Sequence, residues 1–206
     1  MPSEADLVRR FGFSRMTINR AMRELQAAGF VRRVRGAGTF AAQLHRVSST
    51  LTIRDLHEEI ASRGNSHRAE VHLARTERAS ASVAQRFGLP VDTSVFHTII
   101  VHHENEIPLQ LEDRYVNPAC APDYLKVDFT NTTPTSYLLQ VAPVWEAQYS
   151  IESSLPSARE AKLLEIKPSQ PCLTVVRRTA NSNAPITFAR LVHPGSRYQI
   201  EGAFKP

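Results

Sequence analysis

Eight arginines crowd the first 40 residues against only Glu4, Asp6 and Glu24, whereas residues 41–206 hold 17 basic and 17 acidic side chains. The whole formal excess of +5 therefore sits in one fifth of the chain. A localised positive field of that kind suits a polyanionic partner, most simply nucleic acid. Arg15, Thr17, Asn19, Arg20 and Arg23 fall outside an apolar stripe of Ile18, Ala21, Met22 and Leu25, so a helix carrying them presents a basic, polar face. Arginine and asparagine on such a helix can reach base-edge acceptors and donors in a major groove. Arg32, Arg33 and Arg35, set around Gly36 and Gly38, can reach phosphate or minor groove from a tight turn. Solubility alone would account for the helix arginines but not for this second basic cluster beside glycines.

Other reactive groupings lead less far. His102-His103-Glu104 contains metal-binding side-chain types, yet adjacent strand residues face opposite ways, and no further His or Cys cluster is spaced to complete a tetrahedral set. Ser, His and Asp occur without the glycine pattern of a nucleophile elbow, so hydrolysis has no support. No catalytic residue, metal or cofactor is expected. Cys120 and Cys172 make no ligand spacing, and the amino terminus lacks the succession of an export signal, which points to a reducing, cytoplasmic location. No apolar run approaches the ~18 residues of a membrane span, so no membrane partner is expected.

The elements that must position these groups follow from periodicity. Composition is that of an ordinary folded chain, 42% hydrophobic and 22% charged, and 206 residues suit a small domain plus a larger one. Residues 3–11 form a short helix that Ser3 could cap, Gly12-Phe13 breaks it, and Ser14 can cap a second helix that Gly29 ends. FVRRVRGAGTF then alternates, turns at Gly36-Ala37-Gly38 and resumes at Thr39-Phe40, as a two-stranded wing would. This is a winged helix-turn-helix over residues 1–42, with a linker at 43–50 and a larger domain at 51–206.

In the larger part a helix is predicted from Thr52 to Arg63 and ends at Gly64-Asn65. Strands are predicted near 69–77, 94–103, 108–116, 145–153, 172–180 and 185–193, with helices near 80–87, 122–126, 134–141 and 157–164, an α+β pattern dominated by hairpins. The pattern repeats itself. A shift of 77 positions carries Ala84, Phe87, Leu89, Val95, Phe96 and Pro108 onto Ala161, Leu164, Ile166, Cys172, Leu173 and Pro185. The larger domain is therefore expected to be pseudo-symmetric, with a ligand site between its halves.

These residues resemble a known family. PSEADLVRRFGFSRMTINRAMRELQAAGFVRRVRGAGTF is similar to the DNA-binding module of the GntR superfamily, and the remainder resembles its HutC-type effector domain, called UTRA. The likeness covers nearly the whole chain. HENEIPLQLEDRYVNP at 103–118, APDYLKVDF at 121–129, PCLTVVRRT at 171–179 and HPGSRYQIEG at 193–202 resemble the histidine-utilisation branch of that group. The resemblance implies a chorismate-lyase-like effector domain and a homodimer on a near-palindromic operator. It further implies a repressor of histidine-utilisation genes that urocanate releases.

Carried across, the likeness makes Arg15 and Thr17, with Arg35 and Gly36 at the wing tip, DNA contacts, and Asn19 and Arg20 join them on the helix face. Ala5 stands where relatives can carry a DNA-contacting arginine. Relatives also carry a helix before Pro2-Ser3-Glu4; without it, weaker folding of residues 1–40 and weak operator binding are expected. For the effector, His102 stands where sugar-phosphate-sensing relatives carry arginine, and Glu112 where many carry glutamate. Glu112 would accept from the imidazole of urocanate, Arg177 or Arg114 would pair with its carboxylate, and His102 and Tyr149 would line the site. Gln110, Glu112 and Arg114 alternate onto one strand face, and Arg177 is the repeat counterpart of Ile100 on the face of His102. Two rival readings stand beside this one: a lyase-like enzyme, and a ligand-binding dimer without DNA binding.

Overall fold

Gly12, at φ +69°, turns the chain between α1 (Glu4–Phe11) and α2 (Arg15–Ala27), and the Ser14 hydroxyl caps α2 by accepting from the Thr17 amide at 3.2 Å. The computed structural model describes residues 4–27, 31–34, 38–41, 53 and 55–200. Ile18 and Met22 of α2 are buried against Leu7 and Val8 of α1. The rest of the expected inward stripe is not buried: Ala21 and Leu25 are exposed. Two strands follow, β1 (Val31–Val34) and β2 (Gly38–Ala41), antiparallel with Val31 opposite Ala41. The expected Ser3 cap, the Gly29 stop and the turn at 35–37 lie outside the described residues.

The larger part begins with α3 (Leu56–Ser62) rather than at Thr52. Asp55 sets this start, because its carboxylate accepts from the amides of His57 at 2.9 Å and Glu58 at 3.3 Å. Then come β3 (His67–Arg78), α4 (Ala81–Phe87), β4 (Ser94–Glu104), β5 (Ile107–Val116), a single 3₁₀ turn (Tyr124–Lys126), α5 (Pro134–Val141), β6 (Glu146–Ser154), α6 (Ala158–Leu163), β7 (Cys172–Ala180) and β8 (Pro185–Pro194). The six long strands form one antiparallel sheet in the order β3-β4-β5-β8-β7-β6.

The internal repeat is real in three dimensions. Ser80 and Ser157 cap α4 and α6, and the following turns pass through positive φ at Gly88 (79°) and Glu165 (52°), each pair 77 positions apart. In the central β5–β8 ladder Asp113 lies opposite its own repeat counterpart, Arg190, so the pseudo-dyad passes between these two residues. Phe87 and Leu164, again equivalent, are fully buried on one face of the sheet, among Ala84, Val95 and Phe188 on one side and Ile99, Val101, Leu111 and Val192 on the other. Burial of such side chains supplies much of the folding drive, at ~25 cal/mol per Å² of apolar surface. The opposite face carries Tyr124, Phe129 and Leu138 over Ile100 and Val116, and it also carries the polar groups described next. Among the described residues no helix is long and apolar enough to cross a membrane.

Candidate functional site

Cross-strand register arranges this second face into parallel rows. One row runs Thr98, Arg114, Ala189, Arg177, Tyr149 across β4, β5, β8, β7 and β6; the next runs Ile100, Glu112, Leu191, Val175, Ile151; a third begins His102, Gln110. Neighbouring rows are two residues apart, or roughly 7 Å along the strands. All five residues expected to hold an effector, His102, Glu112, Arg114, Tyr149 and Arg177, thus fall on one face although up to 75 positions separate them in the chain. Glu112, Arg114 and His102 are buried to 3%, 1% and 1% exposure, and Arg177 to 5%.

Their pairing is unequal. Arg114 Nε donates to Glu112 Oε1 at 2.6 Å, and its NH2 group donates to Thr135 Oγ1 at 3.2 Å. Burial would raise the Glu112 carboxyl, but the Arg114 charge and hydrogen bond, with His102 close by, outweigh it and hold the group well below the usual carboxylate range. The other Glu112 oxygen lies 3.6 Å from His102 Nε2, outside hydrogen-bond reach. Arg177 donates to the same Thr135 oxygen at 3.0 Å, while its Nε and the nearby Tyr149 hydroxyl lack well-formed partners among the described residues. Burial, reinforced by the Arg114 charge, lowers the Arg177 guanidinium to about 10.

Sequence reasoning missed the residues that hold this arrangement. Thr133 and Thr135 open α5, where Thr133 caps the Ser136 amide and Pro134 takes the first turn. A Thr-Pro pair is a helix-start signal, so the cap was readable, but the bridge from Thr135 to two arginines was not. The Thr133 hydroxyl also bonds Asp55, joining the start of α5 to the start of α3. A histidine series continues outward from the site: His67 Nε2 meets His102 Nδ1 at 3.0 Å, and His57 Nδ1 lies 3.4 Å from His67 Nδ1.

Acid should loosen this face. Burial lowers His67 to about 4, with the His102 and His57 charges adding to it. Burial and the His102 charge lower His193 to about 3, against a weaker backbone contact at Leu109. Both rings are neutral in the folded chain, whereas histidines of the unfolded chain take up protons near pH 6.5. Proton uptake then favours unfolding, so stability is full above about pH 6.5 and declines toward about pH 4. His67→Phe is expected to flatten this decline in melting temperatures recorded across that range; an unchanged decline would assign it to other groups.

At the other end of the chain, Arg15, Met16, Thr17, Asn19, Arg20 and Arg23 line one surface concavity along α2. Thr17 and Ser14 hydroxyls bond each other at 2.9 Å, and Arg20 pairs with Glu24 at 3.0 Å while remaining 84% exposed. An exposed pair of this kind is weak and yields readily to phosphate. Arg35 and Gly36 lie outside the described residues. Among the described residues no group of three or more His, Cys, Asp or Glu side chains is placed to hold a metal ion.

Comparison with known proteins matches residues 1–41 to the bacterial regulatory proteins of the gntR family and residues 62–199 to the UTRA domain. The histidine utilization repressor of Pseudomonas putida is 48% identical over 204 residues, 99% of this chain and 82% of that one. Among solved structures, the C-terminal domain of the histidine utilization repressor from Pseudomonas syringae pv. tomato superposes with a TM-score of 0.66 at 47% identity, covering 68% of this chain and 99% of that one. PhnF from Mycobacterium smegmatis shares the fold over 100% of this chain and 91% of that one, with a TM-score of 0.69 at 21% identity.

Proposed function

The chain belongs to the gntR family of bacterial regulatory proteins and carries a UTRA domain, a family of regulators rather than enzymes, and from that premise we propose that it represses histidine-utilisation genes and leaves its operator when a small anionic effector, urocanate, binds. Residues 1–42 read DNA through Arg15, Thr17, Asn19, Arg20, Arg35 and Gly36. Residues 43–50 link them to an effector-binding and dimerising part at 51–206, and the acting species is a homodimer.

The observation that carries the effector reading is Arg177. This guanidinium is 5% exposed and has no carboxylate partner among the described residues. A buried cation left uncompensated is strongly unfavourable, so the position asks for an anion from outside the chain. Arg114 is already held by Glu112, which leaves Arg177, with the Tyr149 hydroxyl beside it, to take the effector carboxylate. The charge pairing makes Glu112 a support for Arg114 first and an acceptor for the ligand second. Thr135 bonds both arginines, and two residues away Thr133 bonds Asp55 at the start of α3, the first described helix after the linker. A shift of Thr135 on ligand binding is thereby passed to the segment that leads to the DNA-reading part.

The test is operator affinity with and without urocanate, by fluorescence anisotropy on duplex DNA from upstream of histidine-degradation genes. Urocanate is expected to weaken DNA binding by roughly 5- to 150-fold, and operator DNA to weaken urocanate binding by the same factor, because coupling is reciprocal. Equal urocanate affinity in the presence and absence of operator would overturn the proposal.

A further inference from the structure

The row beyond Glu112 carries chemistry that neither the DNA-reading face nor the carboxylate end uses. His102 of β4 lies opposite Gln110 of β5, and one position past the last β5–β8 pair, Leu111–Val192, the side chains of Gln110 and His193 meet. Gln110 Nε2 and His193 Nε2 approach to 3.4 Å across 83 positions of sequence. His102 is 1% exposed, His193 2% and Gln110 5%, yet among the described residues His102 Nε2, 3.6 Å from Glu112 Oε2, and His193 Nδ1 have no well-formed hydrogen bond. The Gln110 amide and the Leu109 backbone contact the His193 ring, but no well-formed hydrogen bond reaches its Nδ1 among the described residues. Native interiors satisfy nearly all such groups, and two such ring nitrogens in one row, beside Gln110, are placed where partners from another molecule would fit.

The spacing suits one kind of molecule. Between this row and Arg177 lies the row of Glu112, Leu191 and Val175, in which the β8 and β7 members next to Arg177 are buried and apolar. The histidine row stands four residues from the arginine row, ~13 Å along the strands, and the long arginine and the imidazoles occupy part of that span. A polar end, an apolar middle and a cationic end in sequence fit a flat, elongated acid with hydrogen-bonding ring atoms opposite its carboxylate. Tyr198 closes the polar end. Its ring stacks on His193 at 3.9 Å between centroids, and its hydroxyl donates to Glu59 of α3 at 3.2 Å.

Building on the carboxylate reading of Arg177, we propose that His102, Gln110 and His193 form the specificity-determining end of the site and select a heteroaromatic acid over its phenyl analogue by pairing with the ring nitrogens. A site built to hydrogen-bond a ligand rejects an isostere that lacks the partner atoms, because its own buried groups then stay unpaired.

Two flat acids test this by isothermal titration on the full chain: urocanate, which has ring nitrogens, and trans-cinnamate, which has none. The chain is expected to prefer urocanate at least tenfold. His193→Leu and, independently, Gln110→Leu are expected to bring that ratio within about threefold while cinnamate affinity holds or tightens. Arg177→Met is expected to weaken both acids alike. Unchanged preference in both row variants overturns the proposal, as does equal binding of the two acids by the unaltered chain, and neither result touches the carboxylate end. Failure of the unaltered chain to bind either acid overturns the carboxylate reading and this one with it. Retained cinnamate binding in the row variants shows that they fold, so their lost preference cannot come from unfolding.

Discussion

Arg177→Met is expected to abolish the response to urocanate while leaving the ligand-free chain as stable as before, or more so. The two halves of that result have one cause. The guanidinium is 5% exposed with Thr135 as its neutral partner, so in the absence of ligand it is a desolvated charge without an anion among the described residues. Replacing such a charge with an apolar side chain of similar length is commonly neutral or stabilising. Removing one partner of a buried charge pair between protein and ligand, in contrast, costs about 2–5 kcal/mol, so urocanate affinity should fall by roughly 30-fold or more. Titration calorimetry and a denaturant melt check both halves. Affinity within threefold of the original would remove Arg177 from the site, and a large loss of stability would show that its role is structural.

Glu112→Gln has the largest expected effect on stability. It leaves Arg114, fully buried and held by Glu112 at 2.6 Å, without its counter-charge. Breaking a buried pair from one side destabilises by about 3–5 kcal/mol, whereas removing both charges can be nearly neutral. Urea unfolding should therefore show a severe loss in Glu112→Gln and substantial recovery in Glu112→Gln/Arg114→Met. A single variant within ~1 kcal/mol of the original would mean that the pair contributes little net stability. Because the Glu112 pKa is depressed on folding, its contribution is fully present above the ordinary carboxylate value of about 4.3 and is lost as pH falls below it. The acid limb of Glu112→Gln should accordingly be shallower below about pH 4.3, a range distinct from the histidine decline at higher pH.

Backbone architecture was legible in the sequence to within a few residues. Alternation and turn residues located all six long strands, and the 77-position repeat anticipated a pseudo-symmetric sheet whose dyad passes between Asp113 and Arg190. Periodicity of this kind survives because a strand's buried face and a helix's apolar stripe are local requirements. Where a neighbour decides burial, local reading failed: Ala21 and Leu25 keep the helical spacing of Ile18 and Met22 yet stay exposed, while Ile18 and Met22 pack against Leu7 and Val8 of α1.

The chemistry divides along the same line. Residue type and the family resemblance were enough to single out His102, Glu112, Arg114, Tyr149 and Arg177, and strand parity was enough to put Glu112 and Arg114 on one face. Only the tertiary structure decided which arginine is spoken for. The repeat preserves the backbone but not the charges: Ala189 and Leu191 stand at the counterparts of Glu112 and Arg114, and Ile100 at that of Arg177. Arg114 consequently finds a carboxylate two residues away on its own strand, and Arg177, among the described residues, finds the Thr135 hydroxyl rather than a carboxylate. Pairing depends on distances between strands far apart in the chain, across the β5–β8 seam and down from α5. Sequence determined the groups and the faces they occupy, and long-range register determined which of them find a counter-charge among the described residues and which do not.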